Sequence, residues 1–155
     1  MPLVPPGAAV NRRQTLRPDA LDTLASLHVL VIEDDVLARE GLVSLLTSWG
    51  ARVGVAEGLV SASQYLRSGA IPDVIVSDYR LGDAENGIEV IAQIRAALGH
   101  SVPACLMSGD TDSVLMERAR EAALTLLQKP VRPAKLRSLI RRLVPGLQAD
   151  GRDLT

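Results

Sequence analysis

Five short apolar runs alternate along this chain with segments of helical periodicity, and the alternation decides the fold class. The runs are HVLVIE (28–33), ARVGVAE (51–57), DVIVS (73–77), PACLM (103–107) and LTLLQ (124–128). Continuous apolar strands separated by helices are typical of a parallel sheet that is covered on both faces. We therefore predict an α/β fold, a doubly wound five-stranded parallel sheet with right-handed crossovers.

Capping signals mark the helices between these strands. We expect helices over 35–48, 59–67 and 86–99, a fourth that Asp110 or Thr111 caps, and a fifth that begins at Pro133 and runs through Leu143. In the first helix the apolar positions form a stripe that should face the core. Its members are Val36, Leu37, Leu42, Val43, Leu45 and Leu46.

The ends of the chain differ in composition from its middle. Residues 1–27 are rich in Pro, Gly and Arg, which predicts a flexible tail or linker, with a short helix from Asp19 to Leu27. Residues 28–144 form the predicted domain, and residues 145–155 are expected to be a frayed tail.

Composition argues against several classes of function. The chain has no Phe, one Trp and two Tyr, so it lacks the aromatic platforms on which single-stranded nucleic acid stacks. The net charge of -1 favours no polyanionic partner, and direct binding of nucleic acid is not expected. Cys105 is the only cysteine, so we interpret it as buried filler. Because no apolar run could span a membrane, we expect a cytoplasmic protein that does not insert into the bilayer.

Polar residues follow four of the five strands. The first strand ends in Glu33-Asp34-Asp35, the third in Asp78, the fourth in Ser108 and the last in Lys129. Because the carboxyl ends of parallel strands share one edge of the sheet, these side chains should meet in one pocket.

The charges in this pocket indicate phosphoryl transfer. Three carboxylates would repel one another, and Mg²⁺ prefers oxygen ligands together with a phosphate. Lys129 adds a positive charge suited to phosphate oxygens. The sequence therefore predicts that Asp78 is a nucleophile that becomes an aspartyl phosphate and that Ser108 donates a hydrogen bond to it.

Four motifs, VLVIEDD, VSDYRLGDAENG, LMSGD and LLQKP, resemble in their order the signatures of response-regulator receiver domains of two-component systems. The likeness covers roughly residues 28–144. It implies a flavodoxin-like (βα)5 fold with strand order 2-1-3-4-5. It also implies that Asp78 is the phosphoacceptor and that Ser108 and Lys129 contact the phosphoryl group.

The resemblance also implies the metal site and the partners. Asp34 and Asp78 correspond to direct Mg²⁺ ligands, Glu33 to their partner, and the backbone carbonyl of Arg80 to a further ligand. The implied protein is a regulatory phosphoacceptor and no enzyme in its own right, although it assists its own phosphorylation and dephosphorylation. A histidine kinase or phosphotransfer protein would phosphorylate it, and a downstream protein would be its target. Receivers of this kind often form homodimers through helices 4 and 5.

Two departures from the family pattern concern the signal output. Leu126 stands where the family often has Tyr or Phe, and the segment from Ser108 to Lys129 is one residue short. Arg80 and Gly109 occupy positions that tune the lifetime of the phosphoryl group in this family.

Several alternatives remain at this point. The chain is either a stand-alone regulator or the receiver of a hybrid sensor kinase. A pseudo-receiver that never carries phosphate is another possibility, favoured mildly by Leu126 and the shortened segment. The intact set of acids, serine and lysine argues against it. An FMN carrier of the same fold conflicts with the three acids in the first loop, and an aspartyl phosphatase would usually carry an acid where Arg80 stands.

Overall fold

The computed structural model describes residues 24–110 and 112–144. Most of the predicted N-terminal tail, including Asp19, lies outside these residues, as do Thr111 and the predicted C-terminal tail from 145 onward.

Strands and helices alternate throughout the described part of the chain. In order they are β1 (His28–Ile32), α1 (Val36–Ser48), β2 (Arg52–Ala56), α2 (Leu59–Arg67), β3 (Val74–Asp78), α3 (Gly87–Leu98), β4 (Ala104–Ser108), α4 (Ser113–Glu121), β5 (Thr125–Gln128) and α5 (Pro133–Leu143). A short antiparallel pair, Arg80–Leu81 with Glu85–Asn86, lies between β3 and α3.

The five main strands form one parallel sheet in the order β2-β1-β3-β4-β5. This order confirms the predicted strand order and the α/β fold class. The chain returns across β1 between β2 and β3, so the order of the strands reverses there. In open sheets of this kind a ligand is expected at the carboxyl ends of the strands beside the reversal.

Two clusters of buried apolar side chains cover the two faces of the sheet. Leu30, Ile75 and Leu106 face one cluster, and Val31, Val76 and Cys105 face the other, as the alternation of side chains along a strand requires. Cys105 is fully buried, in agreement with its interpretation as filler.

The predicted tail contributes to the core at its C-terminal end. Leu24 and Leu27 are buried, and the Leu24 N–H donates to the Trp49 carbonyl at 2.7 Å. Residues 25 and 26 form a turn there, so this end of the predicted short helix is not helical.

The predicted apolar stripe of α1 is wrong at its first turn. Val36 and Leu37 are 51% and 79% exposed, and Leu46 near the far end of the helix is fully buried.

The predicted cap of α4 is also wrong. Asp112 caps this helix, because its Oδ1 accepts the N–H of Leu115 at 2.8 Å. Asp110 instead forms an ion pair with Arg80, and the other predicted cap, Thr111, is not among the described residues. The opening of α3 agrees with the sequence, since Asn86 Oδ1 accepts the Glu89 N–H at 3.0 Å.

None of the helices in residues 24–110 and 112–144 is long and apolar enough to cross a bilayer. The cytoplasmic location stays a prediction.

Candidate functional site

Acidic side chains from two strand ends meet at the carboxyl edge of the sheet. Glu33, Asp34 and Asp78 each offer a carboxylate oxygen, and these oxygens lie within 4.8 Å of one another. Lys129 Nζ lies 3.0 Å from Asp78 Oδ1 and 3.8 Å from Glu33 Oε1. The predicted convergence of the acids and the lysine at one edge of the sheet is therefore observed.

The strand register explains this convergence. Ile32 pairs with Ser77, so the next residues along β1 and β3, Glu33 and Asp78, emerge side by side. Farther across the sheet, Asp78 pairs with Met107 and Ser108 with Gln128. From β3 to β4 and from β4 to β5, the polar residue therefore lies one position farther along the strand. The side chain of Lys129 extends from there toward Asp78.

Glu33 is the most deeply buried acid of the site. Its side chain is 2% exposed, and burial is the main cause that raises its pKa to about 7. Oε2 accepts the N–H of Asp35 at 3.2 Å, whereas the buried Oε1 has no hydrogen-bond partner. A buried carboxylate oxygen without a partner is costly, so this atom is suited to a cation.

Asp34 holds the loop that follows β3. Its carboxylate is exposed, and its Oδ2 accepts the N–H of Gly82 at 3.0 Å. The contact brings the segment 80–82 next to the acids. The side chain of Arg80 pairs with Asp110.

Ser108 is buried between the end of β4 and the end of β5. Its Oγ accepts the N–H of Asp110 at 3.0 Å, and its carbonyl accepts the N–H of Lys129 at 2.8 Å. The peptide bond between Lys129 and Pro130 is cis. The hydrogen bond from the Lys129 N–H to the Ser108 carbonyl links these two residues, so a shift of one affects the other.

The donor set fits a magnesium ion. Three carboxylates within 4.8 Å supply hard oxygen ligands, and Glu33 Oε1 is a buried oxygen without a hydrogen bond. The three acids carry more negative charge than Lys129 can offset, so a divalent cation would relieve their repulsion.

Two residues that support the site were missed by the sequence analysis. Gly87 lies beneath it, since a Cβ there would stand 2.4 Å from the Asp78 carbonyl oxygen. Arg39 on α1 donates from Nη1 to the Glu33 carbonyl at 2.9 Å and thereby anchors the acidic loop. Gly87 gave only a helix-start signal in the sequence, and Arg39 gave none, because both roles depend on contacts with distant segments.

A family model described as the response regulator receiver domain matches residues 29–141. That span includes every residue assigned to the site.

Individual proteins resemble the chain over most of its length. A protein of Leptolyngbya boryana described as an uncharacterized 14.6 kDa protein in the sodA1 3' region is 31% identical over 128 residues, 79% of this chain and 93% of that protein. The two-component response regulator ORR6 of Oryza sativa subsp. japonica is 28% identical, with 77% of this chain and 72% of that protein covered. The crystal structure of a response regulator receiver protein from Pseudomonas putida superimposes with a TM-score of 0.68 at 30% identity, covering 77% of this chain and 99% of that one.

Proposed function

Because this chain belongs to the family of response regulator receiver domains, we propose that Asp78 accepts a phosphoryl group from a histidine kinase or a phosphotransfer protein in a Mg²⁺-dependent reaction. The observation that carries the proposal is the position of Lys129 Nζ, 3.0 Å from Asp78 Oδ1, beside two further carboxylates. A lysine–aspartate pair alone would be an ordinary ion pair. The extra acids and the unpartnered Glu33 Oε1 distinguish this site.

Asp78 acts as the nucleophile in the proposed reaction. One carboxylate oxygen forms a bond to phosphorus while the bond from phosphorus to the imidazole nitrogen of the donor breaks, and the electron pair leaves with that nitrogen. Lys129 then binds a phosphoryl oxygen, since its ammonium already contacts Asp78. Ser108, at the end of the neighbouring strand β4, donates a hydrogen bond from its hydroxyl to another phosphoryl oxygen.

The side chains of Glu33, Asp34 and Asp78 and the backbone carbonyl of Arg80 would hold the Mg²⁺ ion. When bound, the ion supplies positive charge that neutralises the phosphoryl oxygens as they approach the acids. Asp34 also keeps the segment 80–82 in place through the N–H of Gly82.

The proposed output is a change of protein contacts. A phosphoryl group draws Ser108 and Lys129 toward Asp78, and the shared backbone hydrogen bond moves the loops before α4 and α5 together. Leu126 on β5 is half-buried and lines a groove with Met116 of α4 and Lys135 of α5. A downstream protein or a second copy of the chain would read this face of α4 and α5.

Labelling with radioactive acetyl phosphate and Mg²⁺ tests the proposal. We expect a stoichiometric, base-labile label on the intact chain and its loss in Asp78→Asn. Asp83→Asn is the matched control, because it removes an exposed carboxylate five residues away and should keep the label. Asp34→Ala should abolish or greatly weaken the dependence on Mg²⁺.

The pseudo-receiver alternative predicts a different outcome. In that case neither acetyl phosphate nor beryllofluoride with Mg²⁺ would shift the amide resonances of Ser108 and Lys129. A label that persists in Asp78→Asn would move the phosphoacceptor to another residue.

A further inference from the structure

A hydrogen bond attaches the hairpin that follows β3 to the first turn of α2. The hairpin strands Arg80–Leu81 and Glu85–Asn86 are antiparallel, with Leu81 opposite Glu85. Glu85 Oε1 accepts the N–H of Leu59, the first residue of α2, at 3.1 Å. The two partners are 26 positions apart in the chain, so the contact joins two separate units of the fold.

Glu85 supplies a cap that α2 lacks. The residue at the N-cap position is Gly58, which has no side chain to accept the first N–H groups, and the first turn of the helix contains no acid. A carboxylate there satisfies one of these N–H groups and is favoured by the positive end of the helix dipole. The hydrogen bond between Glu85 and Leu59 therefore stabilises both the helix and the hairpin.

Gly58 leaves room for this carboxylate. A Cβ at position 58 would stand 2.3 Å from Glu85 Oε1, closer than a real Cβ atom approaches an oxygen. The backbone of Gly58 is extended, which any residue can adopt, so its conformation does not require glycine. The close approach of Glu85 explains the glycine instead.

The hairpin also contacts the acids of the site. Asp34 Oδ2 accepts the N–H of Gly82, in the turn between the two hairpin strands, at 3.0 Å. Arg80, whose carbonyl is a proposed Mg²⁺ ligand, pairs with Asn86, the residue after Glu85. The hairpin is thus held on one side by the acidic loop and on the other by α2.

We propose that Glu85 is a positioning residue of the metal site, which holds the segment 80–82 beside the acids by attaching the hairpin to α2. This inference rests on the proposed function, because it concerns the proposed Mg²⁺ site. A segment that is already held in place loses less conformational freedom when an ion binds to it. Binding of Mg²⁺ and capping of α2 therefore strengthen each other, since coupling between two sites is reciprocal.

Titration of the amide resonances with MgCl₂ tests the proposal. Glu85→Ala should weaken Mg²⁺ binding about fivefold, because the ion must then order the hairpin by itself. Glu85→Gln keeps an oxygen that can accept the Leu59 N–H, so its affinity should stay within about twofold of that of the unmodified protein. Equal losses in the two variants would mean that only the charge of Glu85 matters, and would overturn the positioning role.

Gly58→Ala tests the same contact from the side of α2. Its Cβ would displace the Glu85 carboxylate without removing a charge, and the end of a glutamate side chain can move aside. We expect about the same fivefold loss of affinity as in Glu85→Ala, and no further loss when the two substitutions are combined. Losses that add in the double variant would overturn the inference.

Glu89→Ala is the matched control. Glu89 is an exposed acid in the first turn of α3, so this substitution removes the same charge and leaves the contact between the hairpin and α2 in place. Its Mg²⁺ affinity should stay within about twofold of that of the unmodified protein. A loss equal to that of Glu85→Ala would overturn the positioning role alone. An unmodified protein whose resonances do not respond to Mg²⁺ would overturn the proposed function as well.

Hydrogen exchange measures the coupling at α2. Saturating Mg²⁺ should slow exchange of the Leu59 amide several-fold in the unmodified protein, and more than it slows the amide of Ala62, which donates to the Gly58 carbonyl within the helix. In Glu85→Ala the Leu59 amide has lost its acceptor, so the two amides should respond equally. Equal responses of these amides in the unmodified protein would mean that Glu85 only stabilises the fold, and would overturn the inference.

Discussion

Glu33 combines burial with an incomplete set of hydrogen bonds. Its side chain is 2% exposed, and it faces the carboxylate of Asp78 and the ammonium of Lys129. Burial penalises the charged form more than Lys129 favours it, so the pKa is raised to about 7. At neutral pH the residue is therefore poised to lose its proton when a cation approaches.

This raised pKa predicts a pH-dependent stability in the absence of metal. Glu33 titrates near 4.5 in the unfolded chain and near 7 in the folded one, so between these values the unfolded state releases its proton first. The free energy of unfolding should fall by on the order of 2 kcal/mol as the pH rises through this window. Well below pH 4.5 Glu33 is protonated in both states, so it adds nothing to the pH dependence of the free energy of unfolding.

Urea denaturation at a series of pH values, with EDTA present, measures this effect. Glu33→Gln is isosteric and does not titrate, so the difference between it and the unmodified protein isolates the contribution of Glu33. A difference that does not vary between pH 5 and pH 8 would contradict the raised pKa.

Gly87 is the second residue on which the site depends. A Cβ at this position would stand 2.4 Å from the Asp78 carbonyl oxygen and 2.6 Å from Leu106 Cδ1. Gly87→Ala should therefore lower the free energy of unfolding by about 1–3 kcal/mol and reduce labelling of Asp78.

Gly41→Ala is the control for this substitution. Gly41 lies within α1, and a Cβ added there would meet no atom of another segment within 4 Å. Alanine at this position should therefore stabilise the protein by about 0.5–1 kcal/mol. Equal changes in the urea midpoint of the two variants would refute the steric explanation.

At the scale of elements, the side chain of Arg95 connects α3 to the segments that precede β4 and β5. Arg95 on α3 donates to the Val102 carbonyl at 3.0 Å and to the Ala122 carbonyl, at the end of α4, at 2.7 Å. Ala123 follows with a φ of 58°, which turns the chain toward β5. One guanidinium thus satisfies the carbonyl of a residue shortly before β4 and that of a residue shortly before β5, at the ends of these strands away from the site.

Arg95→Met should therefore destabilise the protein by about 1–2 kcal/mol, because the carbonyls lose their donor in a partly buried place. Arg120→Met is the matched control, since Arg120 is 75% exposed and forms its ion pair with Glu117 on its own helix. The control should change stability by no more than about 0.5 kcal/mol. Thermal unfolding followed by circular dichroism distinguishes the two results.

At the scale of the whole molecule, the proposed metal ligands come from the ends of β1 and β3, so binding of an ion there should stabilise the entire domain. A ligand that binds only the folded state raises its stability by mass action. We expect the melting temperature to rise as millimolar Mg²⁺ is added and to return when EDTA removes the ion. The rise should disappear in Asp34→Ala.

Asp35→Asn is the control for the metal. Asp35 is a neighbouring exposed acid whose Oδ2 accepts the Ala38 N–H and caps α1, a role that asparagine can take over. Its variant should keep the Mg²⁺ response. A response that survives in Asp34→Ala, or that is lost equally in both variants, would argue against the assigned ligands.

The chemical character of the site could be predicted from the sequence. Parallel strands place their carboxyl ends at one edge, so Glu33, Asp34, Asp78 and Lys129 could be expected to meet. Their roles as ligands and phosphoacceptor stay predictions that the experiments above test. The sequence also predicted the strand order, the bounds of α2 (Leu59–Arg67) and α5 (Pro133–Leu143), and the Asn86 cap. These features depend on local patterns or on the family resemblance.

Other features depended on contacts between segments distant in sequence. The partner of Asp110, the burial of Glu33 and the close approach at Gly87 each involve residues that no local pattern connects. The order of residues was enough to specify which elements form and which charges stand at the strand ends, since periodicity and strand direction are properties of each segment. Which of those charges are desolvated, paired or left without a partner was settled by the folded arrangement, because desolvation and pairing depend on the packing of distant segments around them.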